Sequence, residues 1–81
     1  MTPEEKLQYD GDGSTALLNL AELQRAGLIR LTKGSIDVGR VTRKLEDCKA
    51  RGYVPDEHKI EGWQLILART LGVVPLEGGR N

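Results

Sequence analysis

The sequence predicts a mainly α fold: a small four-helix domain, its first helix short, with a small β-hairpin around residues 28–38. Three observations lead there. Apolar residues recur at three- and four-residue spacing in the stretches 14–26, 37–51 and 55–71. Gly27, Gly52 and Gly72 stand just past those stretches, where a left-handed residue closes a helix. Between the first two stretches, Leu28–Leu31 and Ser35–Val38 are β-prone and flank the turn residues Thr32-Lys33-Gly34.

The chain opens on Thr2-Pro3-Glu4-Glu5, a capping residue, a proline suited to the first helical position, and a glutamate three places after the cap. The helix that follows is short, because Asp10-Gly11-Asp12-Gly13-Ser14 reads as a turn. A second helix starts at Ser14 or Thr15, with Leu17, Leu20, Leu23 and Ala21 on its buried side and Leu18 outside that arc, beside Arg25. The third helix runs from near Asp37 to Arg51, with Val38, Val41, Leu45 and Cys48 on one face and Arg40, Lys44 and Arg51 opposite. After the turn Tyr53-Val54-Pro55, the fourth helix begins with Pro55-Asp56-Glu57, its acids placed where the helix dipole favours them. Ile60, Trp63, Leu67 and Leu71 form its inward stripe, with Trp63 expected to be substantially buried. Val73 to Leu76 reads as an extended arm. Residues 1–76 are expected to make one globular domain and residues 77–81 a flexible tail.

Composition narrows the chemistry. The chain has 81 residues, with no Phe, one Cys and one His. A core of this size contributes roughly 3–5 kcal/mol net, and leaves little room for a deep, preorganised cleft. No run of eighteen apolar residues occurs, so no membrane span is expected, and the acidic, polar Met1–Glu5 does not resemble a signal peptide. A cytoplasmic protein is the expectation. Asp10, Asp12 and Ser14 alternate as calcium ligands do, but Thr15 stands where a calcium loop needs Gly and Ala21 where it needs a bidentate Glu. His58 and Cys48 fall on different predicted helices, too few for a zinc site. His58 reads as an exposed histidine on a polar helix face, and Cys48 as a small hydrophobe. Neither a phosphate loop nor a Gly-x-Ser-x-Gly elbow occurs. The expectation is a non-enzymatic protein with no cofactor and no metal.

Charge is unevenly placed although the total is zero. Residues 1–24 carry −4, residues 25–51 carry +5 and residues 52–81 carry −1. Arg25, Arg30, Lys33, Arg40, Arg43, Lys44, Lys49 and Arg51 make the middle third basic, a pattern that can attract phosphates or an acidic protein surface. The plainer reading is a solvated helix face held by Arg43–Asp47 and Asp47–Arg51 pairs. The run Leu20 to Leu31, followed by Lys33-Gly34-Ser35-Ile36-Asp37-Val38, resembles the recognition-helix-plus-wing half of winged-helix DNA-binding domains. The resemblance covers residues 14–38 and implies a recognition helix over Ser14–Ala26 with Lys33 at the wing tip.

The function expected from these readings is a small regulatory or inhibitory protein that docks on a protein partner. Leu18 and Leu65, on otherwise polar helix sides, are candidate contacts together with Arg25, Arg30, Lys33, Arg40, Arg43, Lys44 and Arg51. The alternative is a DNA-binding regulator using the basic segment 25–51.

Overall fold

The protein is described from a computed structural model, over residues 11–76. The order of elements is α1 (Gly11–Arg25), β1 (Ile29–Leu31), α2 (Val38–Ala50), α3 (Glu57–Leu71) and β2 (Val73–Pro75). Three helices, and not four, are present among the described residues. The short helix expected before Asp10 and the tail expected at 77–81 lie outside them.

Helix α1 is the centre of the fold. Both α2 and α3 pack against it and scarcely touch each other, so α1 is covered on two sides. That arrangement buries Gly11, Asp12, Gly13, Ser14, Ala16, Leu17 and Leu20 together, far more than one 100°-wide stripe. The main core cluster is Ala16, Leu17, Leu20 and Leu67. Ile60, Trp63 and Leu71 of α3, Val41 of α2, and Ile29, Ile36 and Val73 pack against it, half-buried. The expected stripe of α3 therefore faces inward, with Leu67 its buried member and Trp63 half-buried. On α2 the expected face is partly realised: Leu45 is buried, Val41 and Cys48 are half-buried, and Val38 is exposed.

Helix ends obey their capping residues. Asp37 caps α2 by accepting the Arg40 N–H, and Asp56 caps α3 by accepting the N–H groups of His58 and Lys59. Helices α1 and α2 close in the same double-bonded motif: Gly27 and Leu28 donate to the carbonyls of Gln24 and Leu23, and Gly52 and Tyr53 to those of Lys49 and Cys48. The positive φ that this motif needs falls on glycine both times, 78° at Gly27 and 97° at Gly52.

Two expectations are corrected. The segment Gly11-Asp12-Gly13-Ser14 is the first turn of α1, where a turn was expected. Tertiary packing overrides the low helix propensity of its glycines. A Cβ on Gly11 would stand 2.6 Å from the Tyr53 ring, so the missing side chain is what lets Tyr53 close over the helix. The second correction concerns the ribbon. A small two-stranded antiparallel ribbon exists, but β1 pairs with Val73–Pro75 and not with Ser35–Val38. The register is Ile29↔Pro75, Arg30↔Val74 and Leu31↔Val73. Asp37 is needed as the cap of α2, so its neighbourhood turns into that helix, and the arm after Gly72 supplies the second strand.

Candidate docking surface

A polar latch fixes where α3 starts. Asp12, 5% exposed, accepts a 2.6 Å hydrogen bond from the Tyr53 hydroxyl and a 3.2 Å bond from the Asp56 N–H. Thr15 lies beside it, donating to the Gly11 carbonyl and 3.3 Å from the Tyr53 hydroxyl. One buried carboxylate on α1 thus holds the end of the α2–α3 connection and the cap residue of α3. An acid whose oxygen is engaged this way positions the two groups that donate to it. Among the described residues no group of three or more His, Cys, Asp or Glu could hold a metal ion.

With α3 so placed, its inward stripe is spent on the core and its other side faces solvent. Leu65 is 70% exposed and Ile66 50%. At 100° per residue Gly62 and Arg69 project between them. Nothing lies within 4 Å of a Cβ built on Gly62, so no internal contact requires a glycine there. A glycine inside a helix costs roughly 0.5–1 kcal/mol relative to Ala. The result is an outward strip of two aliphatic side chains around a flat spot.

The ribbon presents a second apolar face. Alternation sends Ile29 and Leu31 towards the core, and leaves Arg30 exposed with its partner Val74. The Leu76 N–H donates to the Leu28 carbonyl, extending the ladder by one pair. Leu28, Val74 and Leu76, all exposed, share the outer side with Arg30.

The residues singled out in the sequence fall into separate places. Leu65 is exposed. Leu18 is half-buried, because the second side of α1 is covered as well as the first. Leu23, expected in the core, is exposed at the end of α1, where the closing motif sets it beside Leu28. Arg25 ends α1, Arg30 is on β1, and Lys33 follows it; all three are exposed. Arg40, Arg43 and Arg51 are exposed on or beside α2, and Lys44 is half-buried. Helix α2 makes little contact with the ribbon, so the basic residues divide into a group near β1 and a group on α2. Among the described residues the ion pair on α2 is Arg51–Asp47, at 3.0 Å and well exposed, a pair worth at most about 1 kcal/mol. His58 is exposed and Cys48 half-buried.

A shallow groove of about 460 Å³ runs between α1 and α3, lined by Asn19, Glu22, Leu23, Ala26 and Gln64. It contains one carboxylate and no nucleophile or base to pair with it. The sequence reading missed Ile66, Gly62 and the ribbon residues Leu28, Val74 and Leu76. Ile66 was findable, since two consecutive apolar residues cannot both lie on a stripe spaced 60, 63, 67 and 71. The ribbon face was not, because it depends on a strand pairing distant in sequence. Among the described residues no helix is long and apolar enough to cross a membrane. Comparison with known proteins gives no match to a family model, to a curated protein or to a solved structure.

Proposed function

We propose that this chain is a small non-catalytic regulatory or inhibitory protein that docks on a protein partner through the outer side of α3. The observation that carries this reading is the pair Leu65 and Ile66, 70% and 50% exposed on a helix whose core stripe is already complete. Large aliphatic groups held rigidly in water are the raw material of an interface centre, and Gly62 allows a partner's backbone to approach closely. Arg69, on the same side, supplies a charged group for the rim. Leu65→Glu and Ile66→Glu test it. Both should leave the melting transition nearly unchanged, within about 0.5 kcal/mol, because neither side chain is in the core. Both should abolish capture of the partner that the unaltered chain retains from its native host.

A second reading, DNA binding through the basic segment, draws support from Arg25, Arg30 and Lys33, exposed on consecutive pieces of chain at the end of α1, on β1 and just beyond. On that reading, duplex binding falls steeply with salt, with a log–log slope of roughly −0.9 per neutralised phosphate. Charge reversal at Arg30 and Lys33 flattens the slope, while Leu65→Glu leaves it alone. Sequence-dependent duplex binding at physiological salt with the α3 variants unimpaired would reverse the ranking of the two.

A further inference from the structure

Strand β1 has one edge with no strand partner among the described residues. In the ladder, Leu28 is bonded to Leu76 and Thr32 to Gly72, each through one 2.9 Å backbone bond. With the register Arg30↔Val74 between them, the bonded pairs are the even-numbered residues of β1. Ile29 and Leu31 therefore turn their N–H and C=O groups to the opposite side, away from β2. The sheet has two strands, β1 and β2, so that side has no strand on it among the described residues. The corresponding edge of β2 is weaker as a template: Val73 and Pro75 face it, and Pro75 has no N–H to give.

Charge decides what this edge accepts. From Leu23 to Ile36 the chain contains Arg25, Arg30 and Lys33 and no acid, and all three are exposed. A second copy pairing edge to edge, with Ile29 opposite Leu31, would set Arg30 opposite its own copy, which is destabilising between neighbouring strands. We infer that the free edge of β1 takes an extended acidic segment of another protein as a third strand. The N–H and C=O groups of Ile29 and Leu31 supply the backbone bonds. On the outer face, acidic side chains meet Arg30, with the exposed Lys33 just past the end of the strand adding positive charge; on the inner face, apolar ones continue the layer of Ile29 and Leu31. The segment recognised thus alternates acidic and apolar residues.

The test uses the full chain and a short acetylated peptide alternating Glu with Val, with two controls: the same peptide with Lys for Glu, and one with Pro at its centre. Amide exchange at Ile29 and Leu31 should slow on adding the Glu peptide, and neither control should bind. Arg30→Glu and Lys33→Glu, checked for an unchanged far-ultraviolet spectrum, should each weaken binding by roughly tenfold at low salt. Leu65→Glu should leave it unchanged, which separates this edge from the α3 surface. Equal binding of the Lys peptide overturns the inference, as does unaltered exchange at Ile29 and Leu31 at millimolar peptide. Duplex DNA shifting Arg30 and Lys33 without protecting those amides also overturns it, in favour of a phosphate site.

Discussion

The two ends of α1 are held in opposite ways. Its first half is buried almost all round, yet the residues there are Gly, Asp, Gly, Ser and Thr, with Tyr53 folded over them. Its second half has the leucine spacing of an amphipathic helix, yet Leu20 is its buried member and Leu23 is exposed. The contrast shows that burial in so small a protein follows where the helices cross, and a crossing needs small residues as much as apolar ones. At the first end, space is made by the missing side chain of Gly11 and the polar groups are satisfied by each other. At the second, Leu23 is left exposed and the helix closes at Gly27 and Leu28 before the ribbon.

Substitutions along this contrast should separate the two kinds of hold, and denaturant or thermal unfolding measures each. The largest effect belongs to neither end. Leu67→Ala, in the core cluster at 2% exposure, should cost about 2–5 kcal/mol. Gly11→Ala comes next, about 1–3 kcal/mol, because the new methyl overlaps the Tyr53 ring. That penalty should shrink when Tyr53 is also made Ala, and an unchanged penalty would show that the ring is not the obstacle. Asp12→Ala should cost about 1–3 kcal/mol through the loss of the Tyr53 and Asp56 hydrogen bonds. At the far end Leu23→Ala should cost about 1 kcal/mol or less, since the side chain is already partly in water. If Leu23→Ala proves costlier than Asp12→Ala, the apolar pattern governs α1 after all. The smallest effect has the opposite sign: Gly62→Ala should stabilise by roughly 0.5–1 kcal/mol, as nothing crowds the site. If Gly62 serves a partner, the same change should weaken docking while raising the melting temperature.

What could be read from the sequence was local. The starts expected near Asp37 and at Pro55-Asp56-Glu57 lie within two residues of the observed ones, where Asp37 and Asp56 turn out to be the caps, and the stops Gly27, Gly52 and Gly72 mark the helix ends, because each acts on backbone groups within a turn of itself. The stripe Ile60, Trp63, Leu67 and Leu71 gave the inward side of α3, and Leu65 stood out as misplaced on it. What could not be read was anything set by contact between distant residues. The latch of Asp12 on Tyr53 and Asp56 converts an apparent turn into a helix start. Ser35–Val38 has strand-forming residues close to β1, but Asp37 is committed to capping α2, so the nearer partner loses to the more distant one. Leu18 reads as misplaced on a helical wheel because a wheel assumes one buried side, and α1 has two.

The pairing of β1 with β2 also sets an order of events. The helices α1 and α2 and the Tyr53 latch involve chain no later than Asp56, and they can assemble as soon as that residue is available. Strand β1 must wait until Val73 to Pro75 has been made and α3 has docked, because the loop between the strands spans two helices. Contacts between residues so far apart in sequence form late, since the entropy of closing the loop comes before any gain. Until β2 is in place both edges of β1 lack a strand partner, and the exposed Arg30 and Lys33 put on that strand the kind of charge that disfavours edge-to-edge pairing.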